Sequence, residues 1–246
     1  MQINIVYDPS VANAPAGFTA AITDAVNYLD KLFTNPISIT IDVGYGEVDG
    51  LQLDSNALGE SYYAVSEPVT YSAVVSALKA ENAPGASTLP SNSPFPANYT
   101  LYLSPAEAKA LGLPITVPDG GIDGYVGFSS AANIFSYANG VTPPSNEYYF
   151  VGIVEHEITE IMGRVSLLGD STPDYSVIDL FRYLSPGFVI LPPADLTARH
   201  ISRPTTVSQT SAVGITTPTM AILPTGIRQD RRQAATTRST ITVILG

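Results

Sequence analysis

The sequence predicts an α+β fold: a mixed sheet, several helices packed on it, and one apolar helix that carries the chemistry. Two kinds of periodicity lead there. Segments alternating apolar and polar side chains at every second residue are interleaved with segments whose apolar positions repeat every three to four. A third observation sets one apolar helix apart. The charged run His156-Glu157-Ile158-Thr159-Glu160 is embedded among Val151, Ile153, Val154, Ile158, Ile161 and Met162, where charge needs a partner or a metal to be tolerated.

In chain order, Met1 to Tyr7 alternates like a strand. Phe18, Ala21, Ile22, Ala25, Val26, Leu29, Leu32 and Phe33 fall at helical spacing, so residues 18–33 are expected to form an amphipathic helix with one face on the core. Ile37, Ile39, Ile41 and Val43 then alternate with Ser38, Thr40 and Asp42, a half-buried strand expected to end at Gly44 and Gly46. Val69 to Ala80 is a second helical pattern, followed by a Pro/Ser/Asn-rich loop over 83–98 and a strand over 99–103. Ser104-Pro105-Ala106-Glu107 is a capping box with proline at the first helical position, which starts a short helix ending at Gly112. Ile122 to Ser129 is a glycine-containing strand that another backbone can approach closely. Val151 to Gly163 is the apolar helix, with Gly163 placed to take the left-handed cap.

The chain has 246 residues and 45% hydrophobic content, enough for a substantial core. A net charge of −11 argues against nucleic acid or an anionic membrane as partner, because either calls for a basic surface. No segment has the length of a membrane span. The absence of cysteine removes disulfides, thiolate metal ligands and thiol catalysis, and the imidazoles are only His156 and His200. Any metal site therefore leans on carboxylates. Low charged content (13%) with abundant Ser, Thr, Asn, Gly and Pro suggests a secreted protein, although the N-terminus lacks the basic start and apolar stretch of a cleaved signal peptide.

Composition changes after about residue 186. Six of the eleven basic residues lie beyond Asp195, against one acidic residue, Asp230, and Thr, Ser and Pro dominate. Residues 1–186 are accordingly expected to form one folded domain. Residues 187–246 form a Thr/Ser/Pro/Arg-rich segment, either irregular and surface-hugging with a short last strand at Ile241 to Leu245, or of a different coding origin. His200 falls in this segment and is expected to be exposed.

Residues four apart on a helix share a face, so His156 and Glu160 project side by side as two ligands of one ion must. Glu157, next to the first ligand, is where a carboxylate takes a proton from metal-bound water and returns it to a leaving amine. This is the logic of the H-E-x-x-H helix with Glu160 at the second histidine position. The motif, with Gly163 following, resembles the zincin class of metallopeptidases. Together with Asn4-Ile5-Val6-Tyr7-Asp8, Gly44-Tyr45-Gly46-Glu47 and Asp179-Leu180-Phe181-Arg182-Tyr183, it is similar to a group of bacterial secreted zincin-like metalloproteases over roughly residues 3–187.

The resemblance implies a zincin-like fold, a zinc ion, and a protein or peptide substrate. It also singles out the segment containing Asp179 as the source of a third ligand, in preference to Asp170 or Asp174, because Ser166 stands where a metzincin would carry a third histidine. The predicted metal set is thus His156, Glu160 and Asp179, with Glu157 catalytic. Two anionic ligands would weaken the pull of the ion on bound water, and an oxygen-rich set selects less well for zinc over manganese or calcium. Arg182 and Tyr183 are candidates for stabilising an oxyanion, with packing and a structural salt bridge as the ordinary alternative. Asp119 and Asp123 carry oxygens suited to calcium, but the expectation is a Gly/Asp turn into a strand. Ile122 to Ser129 is expected to align an extended peptide by backbone hydrogen bonds. The alternative function is a secreted binding or surface protein that keeps the scaffold and has lost catalysis at position 160. A purely structural role for the His156 and Glu160 pair is the third possibility.

Overall fold

The computed structural model describes residues 1–64, 68–95, 100–117, 119–167, 174–185, 188–189 and 236–240. The architecture is α+β with an open, mixed sheet. Strands β1 (Gln2–Tyr7), β2 (Ser38–Tyr45), β3 (Glu47–Val48), β4 (Leu51–Gln52), β5 (Gly59–Ala64), β6 (Thr100–Leu101) and β7 (Gly124–Phe128) precede the site helix, with two short strands, β8 (Phe135–Ser136) and β9 (Tyr148–Tyr149), leading into it. Helices α1 (Phe18–Leu32), α2 (Tyr71–Ala80), α3 (Pro105–Ala110) and α4 (Phe150–Ile161) are interleaved with them. After α4 come β10 (Asp174–Tyr175), a 3-10 turn (Val177–Phe181), β11 (Tyr183–Ser185), β12 (Phe188–Val189) and β13 (Thr236–Thr240).

The main sheet has the order β1-β2-β7-β5-β13. Strands β1, β2 and β7 are parallel, and β5 runs antiparallel to β7 with Gly59 opposite Phe128 and Ser61 opposite Val126. The backbone of β13 pairs antiparallel with β5 from Glu60 to Ala64. The expected last strand at Ile241 to Leu245, like Asp170 and His200, lies outside the described residues.

Most elements follow from the local pattern. In α1 the buried residues are Phe18, Ala21, Ile22, Ala25, Val26 and Leu29, the stripe that helical spacing requires. The capping box of α3 is complete: the Ser104 hydroxyl accepts from the Glu107 amide at 3.1 Å, and Glu107 accepts from the Ser104 amide at 2.9 Å. Strand β2 continues through Gly44 to Tyr45, further than expected, because Gly44 is in register with Gly127 of β7 and the chain turns only at Gly46, where φ is 78°.

Strand β5 has no signature of alternation, since Glu60 and Ser61 are both buried beside Tyr63 and a period of two is visible only when one face is wet. On the face of the sheet toward α4, β5 presents Gly59, Ser61 and Tyr63. Ile39, Ile41, Val43, Val126 and Phe128 from the neighbouring strands join α1 and α4 in the larger core cluster.

Phe150 fixes the start of α4 in that core. Its ring centroid lies 5.1 Å from Phe18, 5.0 Å from Phe128, 5.0 Å from Phe135 and 4.9 Å from Tyr137. Each such aromatic pair contributes about 0.5–1.5 kcal/mol beyond area burial. A second cluster, with Val74, Leu78, Leu101, Leu103, Tyr175 and Leu180, joins α2 to the segment after α4. A cavity of about 240 Å³ lined by Met1, Phe33, Leu78, Glu107 and Met162 touches both clusters; His156 and Glu160 do not line it. Among the described residues no helix is long and apolar enough to cross a membrane.

Candidate metal centre on helix α4

The far end of α4 closes with a Schellman motif. Gly163, at φ 100°, donates to the Glu160 carbonyl at 2.8 Å, and the Arg164 amide donates to the Thr159 carbonyl at 3.0 Å. Gly163 therefore takes the left-handed cap that its place in the sequence predicts, and the turn directs Arg164 back along the helix. The Arg164 guanidinium donates to the Thr159 hydroxyl at 2.8 Å and to the His156 carbonyl at 3.0 Å, and lies 4.0 Å from Glu160 Oε1.

His156 and Glu160 meet as the helical spacing requires. Nε2 of His156 lies 3.2 Å from Oε1 of Glu160. The Ser61 hydroxyl on β5 donates to the other oxygen, Oε2, at 2.7 Å. Burial would push the Glu160 carboxyl up, but the hydrogen bonds from His156 and Ser61, together with the His156 and Arg164 charges, more than offset it and hold Glu160 below the usual carboxylate range.

Glu157 has the opposite character. It is 1% exposed, and among the described residues its Oε2 has no hydrogen-bond partner. Burial first, and then the Glu160 charge, push its carboxyl well above the usual range; the Arg164 charge and a Ser61 hydrogen bond oppose this without reversing it. The helix thus carries two carboxyls three residues apart whose acidities are pushed in opposite directions by their surroundings. Gly59 makes room for Glu157: a β-carbon there would lie 2.8 Å from Oε1 and 2.9 Å from Cγ.

Asp179 is buried and occupied. It caps the 3-10 turn, accepting from the Ser176 amide and hydroxyl at 2.9 Å each, the Leu167 amide at 3.0 Å and the Ser166 hydroxyl at 2.5 Å. Among the described residues no group of three or more His, Asp or Glu side chains is placed to hold an ion, so Asp179 does not join His156 and Glu160 in one such cluster. Arg182 is exposed, with Nη1 3.5 Å from the Ser166 hydroxyl. The side chains of Tyr183 and Asp119 lie outside the described part. Asp123 is fully buried and accepts from Lys109 Nζ at 2.7 Å and the Thr40 amide at 2.8 Å. An ammonium thus already sits where the calcium alternative would place its ion, and Asp119–Gly121 form the turn that leads into β7.

The predicted peptide-aligning role of residues 122–129 is corrected by the sheet order. Strand β7 lies between β2 and β5, and its backbone is engaged on both sides. Its glycines serve packing instead: a β-carbon at Gly124 would lie 2.5 Å from Ile161 Cδ1, and one at Gly127 would run into the main chain of Glu47.

Sequence reasoning missed Ser61, Gly59 and Arg164. Only Arg164 carried a signal, as the basic residue following a C-terminal glycine; the other two lie about a hundred positions from the motif. Comparison with protein-family models, with curated proteins and with solved structures yields no match.

Proposed function

We propose that this chain is a zincin-like metallopeptidase, with a divalent ion, zinc first, anchored by His156 and Glu160, and with Glu157 as the proton-transfer group. The observation that carries the proposal is the 3.2 Å separation between His156 Nε2 and Glu160 Oε1. Two ligands about 2.0–2.1 Å from a tetrahedral ion lie about 3.3 Å apart, so the pair has the spacing of one edge of such a site. A proton on Nε2 or a cation between the two atoms satisfies both.

The donor set fits the ion in a second respect. Among the described residues the Glu157 Oε2 is buried without a hydrogen-bond partner, a costly state for a polar atom. Beside a bound cation its carboxylate form is favoured, and that is the form which accepts a proton. A bound zinc ion would supply Lewis acidity and a water of lowered pKa. Glu157 would hold and return the proton, while His156 through Nε2 and Glu160 through Oε1 would hold the ion. The described residues supply two such ligands, leaving the other positions to water, to donors beyond them, or to Asp179 after rearrangement.

Metal analysis of the purified full chain, paired with a peptide-library assay, tests this. The expected result is one equivalent of metal, lost in His156→Ala and Glu160→Ala, with hydrolysis abolished in Glu157→Gln. Protein without stoichiometric metal, on which Glu157→Gln has no effect, would overturn it. The Arg164 guanidinium 4.0 Å from Glu160 favours a second reading, in which His156, Glu160 and Arg164 form a metal-free ionic cluster in a protein that binds rather than cuts. In that case chelators change neither metal content nor thermal stability.

A further inference from the structure

The two oxygens of Glu160 are not equivalent. Oε1 faces His156, whereas Oε2 is held by the Ser61 hydroxyl at 2.7 Å. Ser61 is 1% exposed and Glu160 6%, so water does not compete for that bond. Ser61 sits on β5, in register with Val126 of the adjacent strand, and its hydroxyl is therefore carried by a hydrogen-bonded sheet rather than by a loop.

A carboxylate with both oxygens free can bind an ion through one or two of them. Calcium takes six to eight oxygens and commonly uses both, whereas zinc in a four-coordinate site takes about one oxygen per carboxylate. We infer that Ser61 is a positioning residue for the metal centre: by occupying Oε2 it makes Glu160 a one-oxygen ligand and biases the site toward small tetrahedral ions over calcium. This role rests on the reading of His156 and Glu160 as a metal anchor.

The inference explains why a serine stands on this strand between Gly59 and Tyr63. Glycine at 59 leaves space for Glu157, and at 61 a short side chain with a donor reaches Glu160. Alanine there would leave Oε2 buried and free to turn toward the ion. Threonine keeps the donor.

The test uses the full chain loaded with cobalt(II) alone, zinc alone or calcium alone, in wild type, Ser61→Ala and Ser61→Thr. Affinities are read by competition with a chromophoric chelator, and coordination number by the visible absorption of cobalt. Ser61→Ala is expected to bind zinc and cobalt about 10–100-fold more weakly, the range for loss of a partner that orients a ligand. Its cobalt bands should weaken toward those of a five-coordinate ion, and its preference for zinc over calcium should narrow. Ser61→Thr should restore both affinity and spectrum. Should Ser61→Ala fail to fold, Ser61→Cys, with a weaker donor of similar size, is expected to fall between wild type and loss. Cobalt bound by the Ala or Cys variant with wild-type affinity and spectrum overturns the role of Ser61 alone. A wild-type chain that takes up no stoichiometric cobalt overturns the metal reading, and this role with it.

Discussion

Gly59 and Glu157 occupy one space between strand and helix: a β-carbon on Gly59 would stand 2.8 Å from Oε1 and 2.9 Å from Cγ of Glu157. The Gly59 backbone does not need a positive φ, so alanine is sterically allowed there except for this contact. Gly59→Ala is expected to destabilise by about 1–3 kcal/mol, the range for overpacking a well-filled core, and to displace Glu157. Urea unfolding reads the first effect, and the fall of peptide hydrolysis relative to metal content reads the second. Unchanged stability would mean that the helix shifts away freely.

Gly163 ends α4 at φ 100°, and a β-carbon there would also collide with the Glu107 side chain. Gly163→Ala should cost roughly 1–3 kcal/mol through backbone strain alone, with more from the collision. Thermal unfolding measures it. Glu107→Ala combined with Gly163→Ala should recover the collision component and leave the strain.

Glu107 provides a pH signature. Burial raises its carboxyl to about 8 from an ordinary 4.5; the Ser104 hydrogen bonds oppose the rise and the Asp179 charge adds to it. Between those two values the folded chain holds a proton that the unfolded chain has lost. Stability from this group is therefore complete below about pH 4.5, declines as pH rises, and is gone above about 8. Glu107→Gln keeps an acceptor for the Ser104 amide and should flatten that part of the profile, measured by urea unfolding at several pH values.

Asp179 accepts four hydrogen bonds from the segment below α4. Bonds to a charged acceptor contribute roughly 1.5–3 kcal/mol each and do not add fully, so Asp179→Ala should lose about 3 kcal/mol or more. If Asp179 is only a cap, that loss is the same with and without added zinc, and metal affinity measured under folding conditions is unchanged. A selective fall in zinc affinity would establish it as a ligand.

The local elements were legible because their signals are local. The stripe of α1, the Ser104 capping box and the left-handed Gly163 each depend on residues within one or two turns of one another, and the structure shows each where the pattern predicts it. The pairing of His156 with Glu160 belongs to the same class, since four residues on a helix return the chain to the same face.

Tertiary structure decided what depends on residues distant in sequence. The extended run at 122–129 looked able to receive a peptide, but strand order is a property of the sheet and places β7 in its interior. Strand β5 was invisible because both of its faces are covered. Ser61 and Glu160 are ninety-nine positions apart, and no spacing rule connects them. By itself, the sequence determined which side chains share the face of α4. Only the folded sheet decided that the Glu157 carboxyl is pushed up and the Glu160 carboxyl held down, because desolvation, neighbouring charges and long-range hydrogen bonds, not residue type, separate two otherwise identical carboxyls.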